Sequence, residues 1–249
     1  MQKVVFLTGG ATGIGAAIAR QLATEKHAII LAVRAPERAE PLCEELRALG
    51  GEAMTVTCDV RDAESVRSAL DSARARFGRI NVVINNAGRI DPIGTIAETD
   101  PEDWRDGMET NLFGPYLVTR AALPALQASR GMIVNISTGA ASVPRRAWSA
   151  YCASKAGLSM LTRCTAIEVA EHGIFVVAVQ PGMVDTGMQT RIRASGANEV
   201  SRIDRADLLP PMAPARAIAW LLREAPAELH GRDLSLADLR KHAGPASNW

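Results

Sequence analysis

The chain has 249 residues, of which 47% are hydrophobic, and a formal net charge of +1. That apolar content is enough for a core and argues against disorder, and a charge near zero gives no electrostatic reason to expect nucleic acid or an anionic membrane as a partner. No apolar run reaches the roughly 18 residues that a membrane-spanning helix needs.

Short apolar runs alternate with helical patterns along the whole chain. The runs predict strands at residues 3–8, 28–33, 53–57, 81–85, 131–137, 174–180 and 232–236. The helical patterns fill residues 14–25, 37–49, 62–77, 102–128, 150–171 and 214–224. This alternation predicts an α/β fold with a doubly wound parallel sheet covered by helices on both faces. Since no linker or repeat interrupts the pattern, we expect residues 1–249 to form a single domain.

Compartment and metal content are also predicted from the sequence. The first strand begins at residue 3, so we expect no signal peptide before it. The cysteines are scattered without Cys-x-x-Cys spacing, which predicts reduced thiols, no metal site and a cytoplasmic protein. They are Cys43, Cys58, Cys152 and Cys164.

A glycine-rich turn links the first predicted strand to the first predicted helix. Gly9 suits a tight turn, Gly13 lets the backbone approach a pyrophosphate, and Gly15 lets the helix pack closely on the strand. Such a turn presents bare backbone N–H groups and a helix N-terminus to a phosphate. The alternative is a tight strand–helix connection with no ligand.

Tyr151 and Lys155 are four residues apart in a predicted helix, so their side chains share one face. A free phenol has a pKa of about 10, and a cation beside it favours the phenolate and lowers that value. The pair therefore indicates a tyrosine that exchanges a proton with a carbon-bound oxygen. Taken alone, it also fits an ordinary amphipathic helix.

Four motifs in order give the chain a resemblance to the short-chain dehydrogenase/reductase family. It extends from Lys3 to about Leu239 and implies a Rossmann fold with strand order 3-2-1-4-5-6-7 and a nicotinamide dinucleotide cofactor. The motifs are Thr8-Gly9-x-x-x-Gly13-Ile14-Gly15, Asn85-Asn86-Ala87-Gly88, Tyr151-x-x-x-Lys155 and Pro181-Gly182-x-x-x-Thr186.

The resemblance also implies which residues hold the cofactor. Asp59 takes the adenine-contacting position with Val60 beside the ring, and Thr186 takes the position that holds the nicotinamide carboxamide. The end of the second strand carries Val33 and Arg34 where an NAD site usually has a carboxylate, which predicts NADP(H); the alternative for Arg34 is a solvated surface residue. The remaining expected contacts are Gly9, Thr12, Gly13, Ile14, Gly15, Asn86, Ala87, Gly88, Tyr151, Lys155, Pro181, Gly182 and Val184.

The same resemblance assigns the catalytic roles. Tyr151 would give or take the proton, and Lys155 would lower its pKa and bind the nicotinamide ribose. Asn111 matches the family's asparagine that holds a water in the proton relay; its alternative is a buried asparagine bonded to a neighbouring carbonyl. The family's catalytic serine falls on Thr138, with Ser137 as the alternative, and neighbouring strand residues face opposite sides.

Sequence around Tyr151 and after Pro181 resembles the sepiapterin-reductase and benzil-reductase-like branch of the family. It implies an NADPH-dependent carbonyl reductase for a bulky flat ketone or diketone. The alternatives are a 3-oxoacyl reductase or another alcohol dehydrogenase, and a cofactor-binding regulator without turnover. The residues expected to line the pocket are Val143, Trp148, Met183, Val184 and Met188. The alternative is that Trp148 and the two methionines simply cover the edge of the core.

Two further expectations concern access and assembly. Residues 187–213 hold few apolar side chains, which predicts a mobile lid. Four arginines flank the expected entrance and either attract an acidic substrate or are simply solvated: Arg145, Arg146, Arg191 and Arg193. The helices at 102–128 and 150–171 carry more apolar residues than one sheet face needs, and the family pairs them between subunits. A homodimer or homotetramer is therefore predicted, on the evidence of Leu117, Leu158, Leu161 and Ile167.

Overall fold

A computed structural model describes residues 2–244, 247 and 249. Its centre is a seven-stranded parallel sheet in the order β3-β2-β1-β4-β5-β6-β7. The predicted fold class is confirmed, and each predicted strand is present to within about two residues. The strands are β1 (Val4–Thr8), β2 (Ala28–Val33), β3 (Glu52–Thr57), β4 (Val82–Asn85), β5 (Met132–Ile136), β6 (Phe175–Gln180) and β7 (Asp233–Ser235).

Helices cover both faces of the sheet, and none of those in the described residues is long and apolar enough to cross a membrane. The helices are α1 (Gly13–Thr24), α2 (Glu40–Ala48), α3 (Ala63–Phe77), α4 (Pro101–Met108), α5 (Gly114–Ser129), α6 (Ser149–Val169), α7 (Gly187–Ser195), α8 (Met212–Glu224) and α9 (Leu236–Ala243).

The helices differ from the sequence prediction in three places. The predicted helix 102–128 is divided into α4 and α5 by a π-helical turn over Glu109–Phe113. Helix α7 lies in the segment that was predicted to be a mobile lid, and α9 was not predicted. Ser235 and Asp238 begin α9 with a reciprocal capping box, a signal that was readable in the sequence.

Alternate residues of each strand enter different cores. In β1, Val5 and Leu7 pack with α1, α2 and α8 on one face, whereas Val4 and Phe6 pack with α3 and α5 on the other. A strand covered on both faces needs apolar residues at every position, which explains the unbroken apolar runs. The sheet is thereby fixed on both sides, and its carboxyl edge can support a site.

The apolar surplus predicted on α5 and α6 is only partly at the surface. Leu117 and Leu158 are buried within the chain, and Leu161 is half-buried. Ile167 is 80% exposed. The two buried leucines therefore pack inside the chain, and the surplus on which the assembly was predicted is reduced to Leu161 and Ile167. The exposed large apolar residues of this face are Phe113, Tyr116, Met160 and Ile167.

Candidate active site

The glycine turn after β1 leaves no room for side chains. An added Cβ on Gly9 would lie 2.8 Å from the Ala87 Cα, and one on Gly15 would lie 2.5 Å from the Gly9 carbonyl oxygen. The Asn86 amide donates to the carbonyl oxygens of Thr8 and Gly9, at 3.1 and 2.9 Å. Asn86 therefore holds the turn through its side chain, so a ligand contact is left to the surrounding backbone.

Thr8 is a supporting residue to which sequence reasoning gave no role. Its hydroxyl accepts from the backbone N–H groups of Asn86 and Ala87, each at 3.1 Å. This joins the turn after β1 to the turn after β4. A hydroxyl residue at the last position of a buried strand was the available signal, because such a group needs a partner.

Two helix N-termini meet at this turn. Thr12 begins α1 and Thr186 begins α7, and neither threonine side chain caps its helix. No acidic residue lies in either first turn. A Cβ added to Gly13, whose φ is +56°, would lie 3.3 Å from the Thr186 Cγ2. Free N–H groups and two positive helix ends in one place suit an anion, and the residues fit the pyrophosphate of a dinucleotide.

The end of β2 and the turn after β3 lie side by side. Arg34 is exposed, and its charge contributes to lowering the pKa of Asp59. The main cause of that lowered pKa is a hydrogen bond from Arg61, whose Nη2 is 2.8 Å from the carboxylate. The Val60 side chain is buried, and a Cβ added to Gly114 would lie 2.8 Å from its Cγ2. Arg61 was not singled out in the sequence.

Tyr151 and Lys155 are both buried, at 8% and 5% exposed, on the first turns of α6. The Lys155 Nζ donates to the Ile136 carbonyl oxygen at 2.7 Å. Burial lowers the pKa of Lys155 to about 8, with the charge of Asp233 acting the other way. Burial also raises the pKa of Tyr151 to about 12, against a lowering by the Thr138 hydroxyl. In this structure the net shift of the Tyr151 pKa is upward, and Lys155 is not among its causes.

The two hydroxyl residues after β5 have different surroundings. The Ser137 Oγ donates to the Asp233 carboxylate at 2.8 Å. The Thr138 Oγ1 accepts from the Ala140 N–H at 3.3 Å and is the hydroxyl that acts on the Tyr151 phenol. The alternation of side chains at a strand end explains the difference. Thr138 is therefore the hydroxyl that shares a site with Tyr151.

Asn111 is fully buried in the π-helical turn. Its Oδ1 accepts from the Arg89 N–H at 2.9 Å, and its Nδ2 donates to the Arg89 carbonyl oxygen at 2.8 Å and to the Ser154 Oγ at 3.2 Å. A Cβ on Gly88 would lie 3.2 Å from the Asn111 Oδ1 and 3.8 Å from the Lys155 Nζ. The side chain thus joins the turn after β4 to α6, and the expected role of Asn111 in the proton relay stays a prediction.

The expected substrate pocket is only partly assembled. The Trp148 ring meets the Tyr151 ring edge-on, with centroids 5.8 Å apart, and Met188 packs against the same buried cluster. Val143 and Met183 are 47% and 38% exposed and lie outside that cluster. Val184 is buried and forms a β-bridge with Leu209. Pro181, which is also buried, and Gly182, whose φ is +81°, precede it in the chain.

Part of the segment predicted to be a mobile lid is helical and packs against the site. Helix α7 and the following turn bury Ile192 and Val200 against the Trp148–Tyr151 cluster, and the mobility of the segment stays a prediction. Three of the four entrance arginines have partners within the protein. Arg191 pairs with Asp91 at 2.6 Å, Arg145 forms an ion pair with Glu199, and the Arg146 Nη1 donates to the Ala197 carbonyl oxygen at 3.3 Å.

Comparison with known proteins finds similarity to dehydrogenases along most of the chain. The family model described as short chain dehydrogenase matches residues 3–196. The chain is 37% identical over 240 residues to cis-4-hydroxycyclohexanecarboxylate dehydrogenase of Sinomonas cyclohexanicum, covering 94% of this chain and 95% of that protein. It is 33% identical over 210 residues to rabbit (Oryctolagus cuniculus) L-fucose dehydrogenase, covering 84% and 72%.

A solved structure agrees over nearly the whole length. The crystal structure of an actinorhodin polyketide ketoreductase variant with NADPH superposes with a TM-score of 0.86 at 31% identity. The match covers 94% of this chain and 95% of that one.

Proposed function

The chain belongs to the short-chain dehydrogenase/reductase family, and we propose that it is an NADPH-dependent carbonyl reductase of a bulky ketone or diketone. Membership makes it an oxidoreductase that acts on CH–OH or C=O groups with a nicotinamide cofactor. The observation that carries the proposal is the buried Tyr151–Lys155 pair, with the Thr138 hydroxyl beside the phenol.

The proposed chemistry begins with the phenol. A tyrosine with a pKa of about 12 is protonated at neutral pH, which is the form that donates a proton to a carbonyl oxygen during reduction. The bound nicotinamide supplies the hydride to the carbonyl carbon. Thr138 donates a hydrogen bond to the same carbonyl oxygen, and Tyr151 releases its proton there to give the alcohol. Oxidation of the alcohol returns that proton to Tyr151.

Lys155 and Asn111 support this proton transfer. Lys155 stabilises the phenolate that remains after the proton has left, and binds the ribose of the cofactor. Asn111 positions α6 relative to the turn after β4 through its bonds to Arg89 and Ser154. It acts as a positioning residue, since its side chain is engaged by the protein.

The remaining cofactor contacts follow the turns at the carboxyl edge. The backbone of Gly9, Gly13, Ile14 and Gly15 and the N-termini of α1 and α7 hold the pyrophosphate. Asp59 and Val60 take the adenine, Asn86, Ala87 and Gly88 support the riboses, and Pro181, Gly182, Val184 and Thr186 clamp the nicotinamide.

Preference for NADP over NAD is proposed to rest on Arg34. The position that commonly carries a ribose-binding carboxylate is Val33, and the exposed guanidinium follows it. A planar, permanently charged group suits bidentate contact with a 2′-phosphate. Arg61 is engaged with Asp59 at 2.8 Å, which leaves Arg34 as the group for the phosphate.

For the substrate we propose a bulky, ring-containing ketone, in keeping with the sepiapterin-reductase and benzil-reductase-like branch. Trp148 and Met188 supply an apolar wall beside Tyr151. A 3-oxoacyl-type reductase is the second candidate, favoured by the likeness to a polyketide ketoreductase. A regulator that binds NADP without turnover is the candidate outside enzymes.

The rest of the proposal concerns the whole protein. We propose that residues 1–249 act as one domain, that the protein is cytoplasmic, and that it forms a homodimer or homotetramer. The exposed apolar face of α5 and α6 supports the assembly, with Ile167 80% exposed.

The proposal is tested by following NADPH absorbance with a panel of bulky ketones and diketones, with NADH in parallel. We expect turnover with NADPH and at least about tenfold weaker kcat/KM with NADH. Turnover only with NADH would contradict the cofactor assignment. Cofactor binding without turnover of any ketone or alcohol would favour the regulator.

A further inference from the structure

Trp148 carries a buried indole N–H that has no hydrogen-bond partner among the described residues. The residue is 4% exposed, and its Nε1 is a buried polar atom without a hydrogen bond. Unpaired buried donors are rare and destabilising in native proteins, so each one needs a reason.

A second tryptophan on the same side of the molecule shows the ordinary solution. The Trp104 Nε1 donates to the Ser149 Oγ at 3.1 Å, and Ser149 directly follows Trp148. In the described part of the chain the Trp104 indole has an acceptor, whereas the buried indole N–H groups of Trp148 and Trp249 have none. Trp148 differs from Trp249 because its ring contacts Tyr151, so an acceptor on a molecule bound at this site would satisfy it.

The position of Trp148 is tightly fixed. Ala147 adopts a φ of +66°, Gly94 donates its N–H to the Ala147 carbonyl oxygen at 3.0 Å, and Gly94 forms a β-bridge with Trp148. The ring then packs edge-on against Tyr151 at 5.8 Å between centroids. Such a donor is held in place before a ligand arrives, which limits the entropy lost on binding.

The surroundings of Trp148 also connect the indole to substrate entry. The same buried cluster contains Ile192 of α7 and Val200 of the following turn, which close over the ring. These segments are joined to the rest by surface contacts such as the ion pair Arg191–Asp91 at 2.6 Å, with Arg191 64% exposed. Surface ion pairs contribute little to stability, so this contact alone would not prevent the cover from moving aside to admit a substrate to Tyr151 and the indole.

We propose that the Trp148 Nε1–H donates a hydrogen bond to a second oxygen of the substrate. The substrate class is then a ketone, or its alcohol, with a hydroxyl, carbonyl or ether oxygen close to the reacting carbon, such as an α-hydroxyketone or a diketone. This rests on the proposed carbonyl reduction and narrows it, because a site with a buried donor discriminates against an analogue without the acceptor.

The first test compares α-hydroxycyclohexanone with α-methylcyclohexanone, which replaces the hydroxyl by a methyl group of similar size. The measured quantity is the ratio of their kcat/KM values with NADPH. Trp148→Phe keeps an aromatic ring and removes the N–H, and we expect it to lower that ratio about tenfold, as for one lost hydrogen bond. Comparing ratios cancels the intrinsic reactivities of the two ketones and any general loss of rate. Trp104→Phe is the matched control and should leave the ratio as in the wild type.

A second test does not depend on turnover and uses variants only to assign a signal. The indole N–H signals of the protein with NADP⁺ are followed by NMR while either cyclohexanone is added. The Trp148 signal is assigned by its loss in Trp148→Phe, or by exclusion with Trp104→Phe, Trp220→Phe and Trp249→Phe. We expect a downfield shift with the hydroxyketone and none with the methyl analogue.

The results separate this inference from the proposed function. An unchanged ratio in Trp148→Phe, or an indole signal that responds equally to both ketones, would overturn the role of Trp148 while leaving carbonyl reduction intact. Absence of turnover with a shifted indole signal would instead overturn the proposed reaction and retain the binding contact.

Discussion

The Lys155 Nζ lies 5.9 Å from the centre of the Tyr151 ring, and burial moves both pKa values away from the charged form. The lysine pKa falls to about 8 and the tyrosine pKa rises to about 12. At neutral pH the Tyr151 phenol is therefore protonated, and the Lys155 ammonium loses its proton more readily than an ordinary lysine. This arrangement suits a proton donor whose conjugate base is stabilised only as it forms.

Removing the phenolic hydroxyl should abolish most of the activity. Tyr151→Phe keeps the ring packing on Trp148 and loses the proton donor, so we expect kcat to fall about 10²–10⁴-fold. NADPH affinity, measured by fluorescence titration, should change little. More than about a tenth of wild-type turnover would exclude Tyr151 as the acid.

The hydroxyl groups of Ser137 and Thr138 should have different functions. We expect Thr138→Ala to lower kcat/KM about 10²-fold through loss of a donor to the carbonyl oxygen, and Thr138→Ser to retain most of it. Ser137→Ala breaks the 2.8 Å bond to Asp233 and should instead reduce the free energy of unfolding by about 1 kcal/mol. Steady-state kinetics and urea unfolding of the variants measure these effects. A larger loss of kcat/KM in Ser137→Ala than in Thr138→Ala would reverse the assignment.

Arg34 should set the cofactor preference. A charge-assisted hydrogen bond contributes about 1.5–3 kcal/mol, so Arg34→Ala should weaken NADPH binding roughly 10–100-fold and leave NADH binding nearly unchanged. Arg38→Ala removes another exposed arginine nearby in sequence and serves as the control. Equal loss for both cofactors would show a structural role for Arg34.

Lys155 should make stability depend on pH in a defined window. Its folded pKa, about 8, is below the ordinary value of 10.5, so the unfolded state binds more protons between these values and stability rises with pH there. Between pH 7.5 and 9.5 we expect the cofactor-free wild type to gain about 2 kcal/mol relative to Lys155→Met. Urea unfolding at both pH values measures this double difference. A zero difference would mean that Lys155 keeps an ordinary pKa when folded.

The exposed apolar face should mediate assembly. Sedimentation at micromolar concentration should give a dimer or tetramer of the 26.5 kDa chain. Ile167→Glu should shift the protein towards the monomer, because a charge would have to be buried at the contact. Ile96→Glu is the matched control, since Ile96 is 81% and Ile167 80% exposed. A monomeric, active wild type would contradict the proposed assembly.

Several features of the site depended on contacts that no sequence pattern contains. Thr8 and Arg89 acquire their roles from partners 78 and 22 residues away. The π-helical turn that carries Asn111 reads in the sequence as uninterrupted helix. The signals at these positions are single polar residues in apolar or helical surroundings, which are compatible with many partners.

The sequence pattern by itself determined the strands and the edge at which the motifs meet, and the family resemblance supplied the strand order. Strand periodicity and glycine turns are local, and a parallel sheet brings strand ends together whatever the side chains do. Only the tertiary structure decided the pKa values of Tyr151 and Lys155, the separation of Ser137 from Thr138, and the missing partner of Trp148. These properties depend on desolvation and on hydrogen-bond partners, which are set by residues far apart in the chain and by how closely they pack.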